Sequence, residues 1–401
     1  MNILMLTSVY KDKSLGNIDR STDVINSFVY EWVKMGHRVI VIHNAHSYPV
    51  FIQKLPFFIK SYLETKINFF IADYEAVSEK QYEDNGVKIW RIPILKLVPH
   101  KTPGDSIIRK QVKKINNVLK KENFEPDIIV GHWASPQMEM ISELKKFHPC
   151  RNAVVLHGNG YINTSSFPTA KYLKNIDKIG CRSVTQAKQV KDLLNLKEMP
   201  FVCYSGVPDK YLQQFKLNLE KFKDIKVWKF IYVGRLVHYK RVDVIIKALS
   251  MISEQSWQLD IVGDGSELDN LKRTARESGC EERVIFHGRI PRDDVMTLMK
   301  DAHCFVMVSK GEVFGLVYLE AMAASCVAIG SLREGIDGII VDGENGMLCE
   351  PADVNALYNK IQQLLFMNAA NICNMVTKGY ASALCFSDSN VAKTYLNNVI
   401  V

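Results

Sequence analysis

The sequence lacks several features that would define a class of protein at once. No Cys-x-x-Cys pair occurs among its nine cysteines, so neither a zinc module nor a disulfide framework is indicated, and reduced thiols are expected. No Gly-x-Gly-x-x-Gly follows the first apolar run, which argues against a dinucleotide cofactor there and hence against a dehydrogenase. No Asp-x-Asp pair suggests a divalent metal.

Long apolar runs and strong charge are also absent. No run is long enough to span a bilayer, and the first six residues lack the basic flank of a signal peptide. The net charge of +8, from 51 Lys and Arg against 43 Asp and Glu, fits an anionic substrate or membrane surface and is too diffuse to indicate nucleic-acid binding. We predict a cytoplasmic protein, with peripheral binding to the inner face of the cytoplasmic membrane as a further hypothesis.

Strand-like and helix-like segments alternate along the 401 residues. A buried strand at the N-terminus, an amphipathic helix over 23–35 and the strand-like R-V-I-V-I-H form a βαβ unit. A second series begins at 229–233, and one of its strands is predicted at 338–341. The length suits two domains of about 200 residues each. We therefore predict an α/β fold with two Rossmann-like, doubly wound parallel-sheet domains. The predicted ranges are 1–207 and 208–386, followed by a terminal helix over 387–401 that returns to the first domain.

Residues 309–324, S-K-G-E-V-F-G-L-V-Y-L-E-A-M-A-A, combine a strand end, a tight turn and the start of a helix. Two carboxylates, Glu312 and Glu320, frame that turn. Amide groups in the first turn of a helix have no internal acceptor, and with the helix dipole they form an anion site suited to phosphate. The alternative is that Glu320 points to water, as most helical glutamates do, or helps to cap its own helix. The amides concerned belong to Phe314, Gly315 and Leu316.

A second polar turn follows the strand at 229–233. Its sequence, G-R-L-V-H-Y-K-R, begins at Gly234 and places Arg235 and Lys240 at the carboxyl end of that strand. The planar guanidinium group and the mobile ammonium group together suit a diphosphate. The alternative is that both are ordinary surface cations.

The frame E-x-F-G-x-x-x-L-E-A-M-A resembles the signature of retaining glycosyltransferases of family 4, and the turn at Gly234 resembles the donor-phosphate motif of that family. The resemblance implies the GT-B fold, with two domains facing across a cleft. It implies that Glu312 contacts the donor sugar, that Glu320 binds the ribose, and that Arg235 and Lys240 stabilise the departing diphosphate. The nucleotide sugar is then a substrate, and neither a cofactor nor a metal is expected.

The same resemblance covers weaker positions. Gly16 would let the backbone approach the donor phosphates, although the second glycine of the family pattern is missing. His157, in H-G-N-G, would lie beside the reacting sugar as a catalytic residue, with Gly160 where the family has aspartate. Arg289 and Ile290 lie where the family reads the base. The alternatives are a turn glycine, a structural histidine and unremarkable loop residues.

Residues 48–74 interleave aromatic and basic side chains in an unusual way. One interpretation is that the aromatics pack on the core of their own domain. The other is that they bind an anionic membrane surface, with rings in the interface and lysines at the headgroups. The residues concerned are Phe51, Phe57, Phe58, Tyr62, Phe69 and Phe70, with Lys54, Lys60 and Lys66.

The resemblance to family 4 implies that the protein is a retaining glycosyltransferase. It would move a sugar from a nucleotide-diphosphate donor, with a UDP-sugar favoured by family frequency, to a hydroxyl of a saccharide or lipid-linked saccharide in cell-surface polysaccharide synthesis. Two alternatives stay open. A sugar-nucleotide epimerase can share the fold, and a non-catalytic nucleotide-sugar-binding protein would keep the binding residues without turnover.

Overall fold

The computed structural model describes residues 1–12, 14–15, 23–56, 58–60, 62–63, 74–95, 102–158 and 169–400. The chain divides into two compact units, each with its own parallel sheet. The first unit comprises Met1–Arg182, Gln186–Cys203 and Val391–Val401, and the second comprises Ser183–Thr185 and Tyr204–Asn390.

The first unit is built on an eight-stranded sheet with the order β10-β9-β8-β7-β1-β2-β5-β4. All neighbouring strands are parallel except β4 and β5, which are antiparallel. A separate pair is formed by β3 and β6. The strands are β1 (Asn2–Thr7), β2 (Arg38–His43), β3 (His46–Ser47), β4 (Lys80–Asp84), β5 (Val87–Arg91), β6 (Ile94–Leu95), β7 (Ile128–His132), β8 (Arg151–Leu156), β9 (Lys178–Cys181) and β10 (Phe201–Val202).

Helices connect these strands, and a helix from the far end of the chain completes the unit. The indole Nε1 of Trp32 donates to the carbonyl of Ala392 at 3.0 Å, and the ring of Tyr395 lies 5.3 Å from that of Phe28. The helices described between Val24 and Leu193, together with the last one, are Val24–Lys34, Val50–Gln53, Tyr74–Val77, Asp105–Lys121, Gln137–Leu144, Thr169–Leu173, Val184–Leu193 and Asp388–Ile400.

The second unit contains a six-stranded parallel sheet with the order β13-β12-β11-β14-β15-β16. This is the doubly wound 3-2-1-4-5-6 order, which reverses between β11 and β14; ligands bind beyond the carboxyl ends of the strands at such a reversal. The strands are β11 (Trp228–Val233), β12 (Trp257–Val262), β13 (Val284–Gly288), β14 (Cys304–Val306), β15 (Val327–Ser331) and β16 (Met347–Cys349). The α-helices are Asp209–Gln214, Val242–Ser250, Leu268–Glu277, Arg292–Asp301, Leu316–Ala323, Val354–Leu365 and Ala369–Cys385.

The predicted fold class is confirmed, because both units are α/β with Rossmann-like parallel sheets. The strand predicted at 338–341 is wrong. That segment turns on itself, since the amide of Ile339 donates to the carbonyl of Ile336 at 3.0 Å. The Asn345 side-chain oxygen then accepts from the amide of Val341 at 2.7 Å. The sixth strand is β16 instead, which pairs with β15.

Among the residues that the structure describes, no helix combines the length and the apolar character needed to cross a bilayer. All nine cysteines are free thiols, and six of them are buried. Burial raises the pKa of Cys181 to about 12 and holds that of Cys304 well above its usual value. These thiols therefore stay protonated and pack as small apolar groups.

Candidate functional site

Two loops meet at the carboxyl ends of β11 and β14 in the second unit. The amide of Lys310 donates to the carbonyl of Tyr239 at 2.9 Å. The ammonium group of Lys240 forms an ion pair with Oε2 of Glu312 and lies 3.6 Å from the sulfur of Met307. Both side chains of the ion pair are largely buried, at 12% and 13% exposure. The structure thus brings together two of the residues singled out from the sequence.

Glycines allow the loop after β12 to pack closely against the loop after β11. A Cβ atom at Gly263 would lie 1.8 Å from the carbonyl oxygen of Gly234, and one at Gly265 would lie 2.3 Å from that of Leu236. Two backbone hydrogen bonds join these loops, including one from the amide of Leu236 to the carbonyl of Asp264 at 2.9 Å. Glycine at both positions therefore permits the close approach, and the hydrogen bonds hold the backbone around Gly234 in place.

Arg235 is exposed on this loop, beside the buried ion pair. A terminal nitrogen of its guanidinium group lies 3.4 Å from the hydroxyl of Tyr239. Its carbonyl accepts from the hydroxyl of Tyr232 at 3.0 Å, which anchors the backbone while the side chain stays in solvent. An exposed guanidinium group at a strand end can reach an incoming anion without first leaving a buried partner.

The turn before the Leu316–Ala323 helix depends on Gly315. This residue has φ of +81°, and a Cβ atom there would lie 2.7 Å from the ring of Tyr318. The amide of Tyr318 donates to the Gly315 carbonyl at 3.0 Å, closing the first turn. The amide of Leu316, ahead of that bond, has no acceptor within the helix. Phe314 is buried, with its ring 5.4 Å from that of Tyr204.

Glu320 lies inside this helix and is only 8% exposed, so the alternative that it points to water is wrong. Its Oε1 accepts from the guanidinium group of Arg292, whose central carbon lies 5.2 Å from the centre of the Tyr211 ring. Burial lowers the pKa of Arg292, but Glu320, with smaller contributions from Tyr211 and Asp388, outweighs burial and the pKa is raised. A carboxylate among apolar neighbours needs such a partner.

Arg292 was missed from the sequence, although it lies two residues after Ile290. It begins the Arg292–Asp301 helix that follows β13. Of the two residues predicted there, Arg289 is exposed and Ile290 packs partly against the core of the unit. Neither belongs to the two ion pairs. No local sequence pattern indicates which cation in this loop pairs with Glu320.

A third carboxylate, Glu334, follows β15 and was also missed. Its carboxylate accepts from the amide of Gly311 at 2.9 Å and from the amide of Glu312 at 2.6 Å. Burial raises the pKa of Glu334; the two amides act against this shift, and the charge of Glu312 adds to it. The only sequence signal was its position just beyond a strand end.

In the first unit, two histidines meet at the carboxyl ends of β7 and β8. Nδ1 of His132 lies 2.8 Å from Nε2 of His157. The ring of Trp133 stacks on His157 with centroids 4.2 Å apart, and Tyr395 contacts His132 edge-on at 5.5 Å. Burial, with a further contribution from the charge of Arg182, holds the pKa of each histidine well below 6.5. The pair is therefore neutral at pH 7.

Two predictions lie wholly or partly outside the described residues. Gly16 lies outside them, and so does much of 48–74. In the described part of that segment, three aromatic side chains stand in solvent, at 73% exposure for Phe51, 72% for Phe58 and 62% for Tyr62. The ammonium group of Lys54 lies 5.5 Å from the centre of the Tyr74 ring. The interpretation that these three rings pack on the core of their own domain is therefore wrong.

Across the same described ranges, no group of three or more His, Cys, Asp or Glu residues is arranged to hold a metal ion. The positive charge in the second unit comes instead from side chains. Lys240, Arg235 and Arg292 carry it at or near the carboxyl edge of the sheet.

Residues 215–378 match the family model described as Glycosyl transferases group 1. The chain is 29% identical over 307 residues to an uncharacterized glycosyltransferase of Methanocaldococcus jannaschii, covering 75% of this chain and 80% of that protein. It is 26% identical over 285 residues to the lipopolysaccharide core biosynthesis glycosyltransferase LpsE of Rhizobium meliloti, covering 71% and 78%. The solved structure of Anabaena HepE in complex with UDP and glucose matches with a TM-score of 0.67 at 15% identity, covering 100% of this chain and 99% of that one. The second unit is therefore similar to group 1 glycosyltransferases, and the structural likeness shows the fold that the chain shares with HepE.

Proposed function

We propose that this chain, whose residues 215–378 match group 1 glycosyltransferases, is a retaining glycosyltransferase of the family 4 type. It transfers a sugar from a nucleotide-diphosphate donor to a hydroxyl of a saccharide or lipid-linked saccharide acceptor. The observation that carries this proposal is the buried pair of Lys240 and Glu312. It lies at the reversal point of a doubly wound sheet, where such folds bind their ligands.

The demanding step is separation of a diphosphate from a sugar that gains positive charge. In this proposal, Arg235 and Lys240 stabilise the negative charge that develops on the leaving phosphate, together with the helix amides after Gly315. Preorganised charge of this kind is usually the largest single contribution to catalysis. Before the donor binds, Glu312 holds the ammonium group of Lys240 in place, so little reorganisation is needed when the phosphate arrives.

The two glutamates contact opposite ends of the donor. Lys240 occupies Oε2 of Glu312, which leaves Oε1 to accept from a sugar hydroxyl near the reacting carbon. Arg292 occupies Oε1 of Glu320, which leaves Oε2 to accept from the ribose. A UDP-sugar is the donor class we propose, since HepE, which shares the fold, is solved in complex with UDP and glucose. Both the donor and the pair of carboxylates act without a metal in this mechanism.

The remaining proposed groups come from both units: His157 and Gly16 from the first, Arg289 and Ile290 from the second. We propose that His157 contacts the reacting sugar as a neutral imidazole, because burial holds its pKa well below 6.5. Gly16 is proposed to let the backbone approach the donor phosphates, and Arg289 and Ile290 to border the base. Because the sequence indicates no side-chain nucleophile for a covalent intermediate, we propose that the configuration is retained through front-face attack assisted by the leaving phosphate.

We propose that the first unit, which contains residues 48–74, binds the acceptor and contacts an anionic membrane from the cytoplasm. Its role would be in cell-surface polysaccharide synthesis. The exposed rings of Phe51, Phe58 and Tyr62 suit the interface, and Lys54 and Lys60 suit the headgroups. A relative, LpsE, is named for lipopolysaccharide core biosynthesis. Co-sedimentation with vesicles containing anionic phospholipid should therefore fall when both phenylalanines are replaced by serine. Unchanged co-sedimentation would remove the membrane from this proposal.

The experiment that tests the activity is product analysis with a panel of UDP- and GDP-sugars. The purified protein is incubated with each donor, with and without saccharide acceptors, and the anomeric configuration of any product is determined by NMR. Release of the nucleoside diphosphate with a new α-linkage from an α-configured donor supports the proposal. An isomerised nucleotide sugar would indicate an epimerase. A thermal shift without any turnover would indicate a binding protein.

A further inference from the structure

The loop that carries Glu312 is held from two sides. Toward β11, it is joined by the Lys310–Tyr239 backbone hydrogen bond at 2.9 Å and by the ion pair of Lys240 with Glu312. Toward β15, the hydroxyl of Ser331 donates to the carbonyl of Ser309 at 2.9 Å. The contacts on the β15 side continue into the turn that contains Glu334.

Glu334 binds the backbone of Glu312 itself. Both of its carboxylate oxygens lie 2.9 Å from the amide of Gly311, and Oε2 accepts from the amide of Glu312 at 2.6 Å. Bonds from an amide to an ionised carboxylate are roughly twice as strong as neutral ones. The next residue returns the contact, since the amide of Gly335 donates to the carbonyl of Glu312 at 2.9 Å. Both backbone polar groups of Glu312 are therefore held by this turn.

The close approach requires the glycine that follows. A Cβ atom at Gly335 would lie 2.4 Å from the carbonyl carbon of Val313 and from the amide nitrogen of Phe314. The backbone of the turn thus packs directly on the backbone of the Glu312 loop. With the amides bound to Glu334, the carboxylate of Glu312 can vary only through its own side-chain rotations, and Lys240 limits those.

We infer that Glu334 is a positioning residue that orients Glu312 for the donor sugar by holding the amides of Gly311 and Glu312. The inference rests on the proposed function, because it assigns Glu312 to the sugar. Glu334 acts through the backbone of Glu312 and is not itself placed on the substrate. A misplacement of about 1 Å in a positioned catalytic group can cost about 100-fold in rate.

The test compares Glu334→Ala and Glu334→Gln with Glu350→Ala. The control removes a carboxylate whose ion pair with Arg333 lies on the surface, with both side chains about half exposed or more. In Glu334→Ala, kcat for sugar transfer should fall about 10- to 100-fold, with the donor KM changed by less than about threefold. Glu334→Gln should stay within about fivefold of the wild type, because its amide oxygen still accepts from both backbone groups. Glu350→Ala should match the wild type.

A second measurement needs no substrate. Hydrogen–deuterium exchange of a peptide spanning 309–314 should accelerate at least about tenfold in Glu334→Ala and not in Glu350→Ala. Unchanged exchange in Glu334→Ala overturns the inference, and so does faster exchange with unchanged kcat. A raised donor KM at unchanged kcat overturns it as well. Absence of transfer by the wild type would remove the proposed function and with it the role assigned here. The exchange result would then decide only whether Glu334 holds the loop.

Discussion

The carboxyl edges of the two sheets use opposite electrostatic means. In the second unit, two ion pairs, Lys240 with Glu312 and Arg292 with Glu320, place full charges at the edge. In the first unit, His132 and His157 form a hydrogen-bonded pair surrounded by the rings of Trp133 and Tyr395. Burial keeps that pair neutral.

The difference follows from the cost of burying charge at each edge. A lone charge in an apolar setting is costly, whereas a paired charge with further hydrogen bonds is tolerated. The second unit supplies a cationic partner for each carboxylate, Lys240 for Glu312 and Arg292 for Glu320. In the first unit, burial and the positive charge of Arg182 both oppose protonation of His132 and His157. One edge therefore suits an anion such as a diphosphate, and the other suits neutral hydroxyl groups.

The largest effect on transfer is expected when the charges of the second unit are removed. Glu312→Ala and Lys240→Met should each lower kcat for sugar transfer by about 100- to 1000-fold, as expected for removal of one preorganised group at the reacting centre. Lys247→Met is the matched control, because Lys247 is half exposed and pairs with Asp243 on the surface. Steady-state kinetics of sugar transfer would measure kcat for the wild type and all three variants. Transfer at the wild-type rate by Glu312→Ala would remove the role assigned to that residue.

A smaller effect is expected at the other ion pair. Glu320→Gln should raise the donor KM about tenfold and leave kcat within a few-fold, because a group that binds the nucleoside in ground and transition state alike changes KM alone. Glu277→Gln serves as control, since Glu277 is exposed and pairs loosely with Arg273. The same donor KM in both variants would contradict the assignment of Glu320 to the ribose.

The smallest expected effect is on the free energy of unfolding, and it concerns the neutral histidine pair of the first unit. The folded pKa of His132 and of His157 lies below 6.5, so the unfolded chain binds more protons below that pH. The free energy of unfolding should therefore decrease as the pH falls from 6.5 toward the folded pKa values, by up to about 1.4 kcal/mol per pH unit for each histidine.

Urea unfolding measured at pH 7.5 and pH 5.5 provides the comparison. His132→Gln should show a smaller loss of stability between the two pH values than the wild type does. His303, whose pKa is lowered to about 4 mainly by burial, contributes equally to both proteins and cancels in the difference. An identical loss in the two proteins would show that His132 is not held neutral in the fold.

The fold was predictable wherever a local pattern was strong. The apolar run of Asn2–Thr7 and the K-F-I-Y-V run of β11 became central strands, because buried parallel strands need continuous apolar sequence. Residues 338–341 have the same appearance, but the turn at Gly338 and the Asn345 side chain satisfy their backbone instead. Such long-range competition between a side chain and a strand partner is not visible in a local pattern.

The candidate site was predictable only in part, for a related reason. Glu312, Glu320, Arg235 and Lys240 stood in recognisable frames, and two of them now form an ion pair. Their partners Arg292 and Glu334 carry no such frame. They became apparent only when β13 and β15 brought their loops to the same sheet edge. The order of the strands in the sheet decides which distant side chains meet, and local sequence patterns do not predict that order.

The helix Asp388–Ile400 supplies the carbonyl that binds Trp32 and the ring that packs on His132. Part of the core of the first unit is thus encoded after the entire second unit. During synthesis on the ribosome, the N-terminal half cannot reach its final packing until the residues around Tyr395 have emerged. Nascent chains arrested before that point should leave the histidine pair open to water and depend on chaperones for protection.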